Sequence, residues 1–151
     1  MTSLPTSESA VRAVLDNRPL CELHGLPGQA IDLAYGVATR AFGEGDYVQA
    51  ANGFAFAATM RHTDSRSWIA LARSLMFLES PEAASVAYRA ALRLRPEVFL
   101  YAELARAELA AGDPEEAFLA VESGRDLGGG EALSVEIIEE FNSLANACGR
   151  C

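Results

Sequence analysis

The chain has 151 residues and a formal net charge of −9, which points to one domain and disfavours nucleic acid or anionic lipid as the main partner. Half of its residues are hydrophobic, enough to pack a core, so wholesale disorder is excluded. Alanine is abundant while Val, Ile and Thr are sparse, a composition that favours helices over strands.

The first fifteen residues carry Glu8 and Arg12 and no long apolar run, so no secretory signal is expected. No stretch reaches the roughly 18 apolar residues of a membrane span. The expected place of work is the cytosol. There, an odd set of cysteines (Cys21, Cys148 and Cys151) argues against a disulfide framework.

In chain order, residues 7–16 read as a short helix, followed by Pro19 and a loop around Gly25-Leu26-Pro27-Gly28. Helices are then predicted near 29–42, 46–60, 65–78, 81–94, 97–111 and 114–127. Punctuation supports them. Gly43-Glu44-Gly45-Asp46 ends one helix and caps the next. Asp64 or Ser65 caps the helix that carries Trp68. Ser80-Pro81 places a cap before a first-turn proline. Asp113-Pro114-Glu115-Glu116 repeats that arrangement with Glu at the third position, as in a capping box. Residues 131–146 hold Leu133, Val135, Ile137, Ile138, Phe141 and Leu144 between acidic residues, an amphipathic helix. The total is about eight helices.

These helices repeat. Trp68, Leu71, Ala72, Leu75, Ala84, Tyr88, Ala91 and Pro96 follow the spacing of the tetratricopeptide pattern. Thirty-four residues earlier stand Ala38, Gly45, Tyr47, Ala50, Phe54 and Ala57. Thirty-three later stand Tyr101, Leu104, Ala105, Gly112, Ala117, Val121 and Gly124. The units are 31–64, 65–97 and 98–130. Small residues let paired helices cross closely, and large ones fill the space between helices. The expected fold is all-α: three tetratricopeptide-type helix pairs in a right-handed superhelix, one domain over 1–151. Residues 1–28 supply an N-terminal helix and loop, and 131–146 a capping helix for the open end.

Such a stack has a concave face lined by the first helix of each pair, suited to an extended peptide. The second, fifth, ninth and twelfth positions of each repeat face it. They are Tyr35, Thr39 and Phe42 in the first repeat, and Arg66, Ile69, Arg73 and Met76 in the second. The third repeat offers Phe99, Ala102, Arg106 and Leu109. Aromatic, Met and Arg side chains suit a binding surface, and the arginines are able to bond peptide carbonyls or acidic groups. Packing between helices is the other reading of Tyr35, Phe42 and Met76, and solvated charge that of the arginines.

The runs Leu23-x-Gly25-Leu26…Ile31-Asp32-x-x-Tyr35, Gly45-Asp46-Tyr47-x-x-Ala50-x-x-x-Phe54 and Asp64-Ser65-Arg66-x-Trp68-Ile69-x-Leu71 resemble the class II type III secretion chaperones (the SycD, LcrH and IpgC type). The resemblance covers roughly residues 20–127. It implies a chaperone, not an enzyme, that binds an extended segment of a hydrophobic translocator in the groove. Tyr35 and Phe42 match that family's pocket aromatics, and Thr39 stands where an aromatic is usual. The family also implies, for some members, self-association through the N-terminal region and partnership with a transcriptional activator. Two alternatives are a general repeat scaffold or adaptor and an assembly chaperone of the needle-subunit type.

No cofactor or metal is expected. Cys148-Gly149-Arg150-Cys151 lacks the strand–helix setting of a redox motif. A zinc site would need two further ligands, and His24 and His62 lie far away in sequence. His62, at a turn between helices, is expected on the surface. No phosphate loop, dinucleotide fingerprint or nucleophile elbow occurs.

Overall fold

A computed structural model describes residue 12 and residues 16–129 and 135–149, and among these it forms eight helices and no strand. Helix α1 spans Leu20–Leu23, α2 Gly28–Gly43, α3 Tyr47–Met60 and α4 Ser65–Phe77. Helix α5 spans Pro81–Leu94, α6 Val98–Ala110, α7 Pro114–Gly128 and α8 Val135–Ala147. The six central helices match the predicted bounds to within a residue at each end. The expected helix at 7–16 lies outside the described residues, apart from Arg12, which is helical, and Asp16. The start of the expected C-terminal helix, 131–134, lies outside them too. The single turn of α1 was not predicted: Pro19 precedes it, and Gly25, at φ +63°, follows it.

One turn design, used three times, makes the helix pairs. Gly45, Glu79 and Gly112 all adopt left-handed backbone, at φ 82°, 55° and 83°. Their amides donate to the carbonyls of Phe42, Met76 and Leu109, each at 3.1 Å. The amides of Asp46, Ser80 and Asp113 reach back five residues to Ala41, Leu75 and Glu108, each at 2.9 Å. This is the Schellman arrangement, which satisfies the last carbonyls of a helix.

The caps then start the second helix. Asp46 accepts from the Gln49 amide and Asp113 from the Glu116 amide, both at 3.1 Å. Asp64 does the same for α4 through the Arg66 amide. Two expected caps differ. Ser80 occupies the cap position ahead of Pro81, but its side chain makes no cap bond. The Glu116 carboxylate does not fold back as a capping box requires; it takes a hydrogen bond from Arg89 at 2.7 Å.

Helix α2 packs on α3, α4 on α5 and α6 on α7, while α3 meets α4 and α5 meets α6. Ala50, Ala57, Ala84, Ala91, Ala105 and Ala117 are inaccessible to solvent. At Gly53 an added Cβ would stand 2.7 Å from the Ala38 Cβ. At Gly124 it would stand 2.5 Å from Phe141 Cζ and 2.9 Å from Tyr101 Cβ. Phe141 therefore seats α8 across α6 and α7 on a surface shaped by a missing side chain.

The turn between the first two pairs is pinned at His62, which is partly exposed, as its place in a turn leads one to expect. Its backbone carbonyl accepts the Trp68 indole N–H at 3.0 Å. That bond draws the turn inward, and both ring nitrogens are shielded from solvent with no hydrogen-bond partner among the described residues.

Of the three left-handed turn positions, Glu79 alone is not glycine. Left-handed backbone costs a side-chain-bearing residue about 1–2 kcal/mol, against about 0.5–1 kcal/mol of extra chain entropy lost by glycine. Glu79→Gly should therefore raise the unfolding free energy by about 0.5–1 kcal/mol in urea titrations. A lower midpoint would show that the turn carries no strain.

Candidate functional site

The face lined by α2, α4 and α6 holds a cavity of about 330 Å³. Tyr35, Thr39 and Phe42 come from α2, and Arg66, Ile69 and Arg73 from α4; Phe99 of α6 completes the rim. Seven sequence-predicted positions thus meet at one place. Phe54 and Ala70 join them. The repeat pattern marks Phe54 only as a packing residue between helices. It is buried, and its ring meets Tyr35 edge-on at a centroid distance of 5.2 Å. The floor of the cavity and the core of the first pair are the same side chain.

Polar groups around this cavity are largely committed. The Thr39 hydroxyl donates to the Tyr35 carbonyl at 2.9 Å, within its own helix. Arg66 pairs with Asp64 at 3.0 Å while its guanidinium lies 6.0 Å from the Tyr35 ring centroid, a cation–π distance. Arg73 pairs with Glu103 at 2.8 Å. The sequence leaves two readings of the groove arginines open, donors for a ligand or solvated charges. In the structure Arg66 and Arg73 are tied to carboxylates of this chain, and Arg106 is tied to Glu140 of α8.

A second cavity of about 260 Å³ adjoins the first and shares Arg73. It contains the predicted Met76 and Arg106, with Phe77, Tyr88 and Glu103. Burial, then the Glu103 carboxylate, push the Tyr88 hydroxyl well above its ordinary pKa, so it stays protonated. Phe77 is half exposed, stacks on Tyr47 at 4.4 Å and meets Phe42 at 5.4 Å. This aromatic cluster links the two cavities along the edge of the groove.

Two predicted positions fall outside both cavities. Ala102 is buried in the main core, and Leu109 packs against that core. Sequence periodicity missed Phe77 and Glu103 for different reasons. Phe77 lies one residue beyond Met76, off the counted positions. Glu103 matters through Arg73, thirty residues away, a pairing that only the stacking of repeats creates.

Among the described residues no group of three or more His, Cys, Asp or Glu side chains could hold a metal ion. No helix among them is long and apolar enough to cross a membrane. Cys21 is buried and Cys148 partly buried, and Cys151 lies outside the described residues.

No family model matches the chain, and no curated protein matches it by sequence. Solved structures do share its fold. The Yersinia enterocolitica type III secretion translocator chaperone SycD is 18% identical with a TM-score of 0.66, over 87% of this chain and 96% of that one. PcrH, in complex with the chaperone binding region of PopD, is 19% identical with a TM-score of 0.71, over 83% and 95%. The first tetratricopeptide domain of Spaghetti (RPAP3), bound to an HSP90 peptide, is 18% identical with a TM-score of 0.68, over 82% and 96%. The fold is accordingly a tetratricopeptide-type helical superhelix.

The Asp64–Arg66 pair gives a pH-dependent prediction. Burial pushes the Asp64 carboxyl up, but the hydrogen bonds from Arg66 outweigh it and hold its pKa below the ordinary value. A depressed carboxylate contributes stability above its unfolded pKa, near about 3.9, and loses it as pH falls through the native value. Asn caps a helix about as well as Asp. Asp64→Asn should therefore be less stable than wild type at neutral pH by up to about 1 kcal/mol, and equal to it in acid. A gap that persists unchanged in acid unfolding curves would assign the effect to something other than charge.

Proposed function

We propose that this chain is a non-enzymatic chaperone of a type III secretion system. It holds an extended segment of a hydrophobic translocator in its concave groove and keeps that client soluble and export-competent in the bacterial cytosol. Its working unit is the stack of three repeats, 31–64, 65–97 and 98–130, with α8 as the cap of the open end.

The observation that carries this reading is the first cavity: a mainly apolar recess walled by Tyr35, Phe42, Phe54, Ile69 and Phe99 on the concave face. Its size suits side chains of a segment rather than a folded domain. Extended peptides dock by placing alternate side chains in such pockets. PcrH, of the same fold, was solved with the chaperone binding region of PopD, which supports a client of that kind. Translocators carry long apolar segments destined for membranes. Left exposed in water, such surface aggregates, and masking part of it is the whole of the required chemistry.

An adaptor for acidic tails, the other ligand class seen on this fold, needs free cations. Arg66, Arg73 and Arg106 are each paired within the chain, which disfavours that reading.

Co-expression with a hydrophobic translocator from the same organism tests the proposal. Wild type should yield a soluble complex. Tyr35→Ala/Phe42→Ala should not, because each buried aromatic anchor contributes about 2 kcal/mol or more. A double variant that stays helical and still binds would misplace the groove. A wild-type chain that binds no translocator would end the chaperone reading.

A further inference from the structure

Arg73 is the one side chain that lines both cavities of the concave face. Its Nε and Nη2 donate to the two Glu103 oxygens at 3.2, 3.2 and 2.8 Å, a fork from α4 to α6. The Glu103 side chain is only 18% exposed. The buried Tyr88 side chain lines the same recess as this carboxylate. A planar guanidinium is thereby fixed between two recesses, while the Arg73 side chain remains 47% exposed.

A guanidinium carries five N–H donors. The fork occupies Nε and Nη2, and Nη1 stands outside it. An extended segment lying in an apolar groove brings backbone carbonyls out of water, and each needs a donor or costs free energy. Near the first cavity the Thr39 hydroxyl is taken by the Tyr35 carbonyl; Arg66 also leaves its Nη1 outside the fork on Asp64, but its side chain is 72% exposed to solvent and borders the first recess alone, whereas Arg73 stands between the two.

We infer that the Arg73–Glu103 pair is a fixed donor bar across the groove, which separates two anchoring pockets and donates from Arg73 Nη1 to a main-chain carbonyl of the bound segment. The segment must then place its apolar anchors on either side of that carbonyl. Glu103 is a positioning residue, acting through Arg73. This rests on the proposed function, since it specifies how that groove reads its client.

A structural role alone, holding α4 to α6, predicts different behaviour from variants. Arg73→Lys keeps a charge for Glu103 but removes Nη1. Arg73→Met removes both. The full chain and the same purified translocator serve as the binding pair, with dissociation rates measured alongside thermal melting. The bar predicts that Arg73→Lys melts close to wild type yet releases the translocator about 10-fold or more faster, as expected for loss of a charge-assisted hydrogen bond. Glu103→Gln, which loosens the fork, should speed release by a smaller factor. Wild-type release rates in Arg73→Lys and Arg73→Met would overturn the bar while leaving the chaperone reading intact. Absence of wild-type binding would overturn both.

Discussion

The groove exists because two helices approach more closely than most side chains permit. Gly53 of α3 faces Ala38 of α2, and a Cβ on Gly53 would stand 2.7 Å from the Ala38 Cβ. That contact lets Phe54, the next residue, cross beneath α2 and meet Tyr35. The cavity floor follows from it. Close crossing of this kind is the reason repeat stacks are built on Ala and Gly at fixed places, with large residues between. The same device recurs at Gly124, where it admits Phe141 and attaches α8.

Charge plays a different part from the one its abundance suggests. With a net charge of −9, free carboxylates are plentiful, and arginines near them are quickly taken up. Arg61 bonds Asp32 and the Gly28 carbonyl, so the end of α3 is tied to the start of α2. Arg89 joins the buried Glu108 to Glu116 across the second and third pairs. The exposed pairs among these, Arg61–Asp32 and Arg89–Glu116, contribute little stability each. Their geometric effect is to tie helices together, α2 to α3 through Arg61 and the second pair to the third through Arg89, while the arginines beside the concave recesses are paired with Asp64, Glu103 and Glu140.

Sequence reading succeeded wherever one residue type has one physical use at a fixed interval. The turn glycines Gly45 and Gly112, the cap Asp113 and the alanines of the crossing helices announced the pairs and their bounds. It did less well where a residue serves two purposes or acts through a distant partner. Phe54 packs one helix pair and floors the cavity. Glu79 holds a turn position by tolerating left-handed backbone, which no glycine marks. Glu103 and Tyr88 enter the groove only because the third pair stacks on the second. Ala102 was counted into the groove by position, yet it is too short to leave the core in which it sits. His62 keeps part of its surface exposed at the turn, but nothing in the sequence marks that its carbonyl holds the Trp68 indole or that its ring nitrogens are shielded.

The central claim is that the concave face, between the first two repeats, receives the translocator. Site-specific photocrosslinking addresses it directly, with the probe placed at Thr39 on that face or at Leu119, an exposed residue of α7 outside both concave cavities. Co-expressed translocator should crosslink at Thr39 and not at Leu119. Crosslinking at Leu119 with none at Thr39 would contradict the account and move the client to another surface of the same fold.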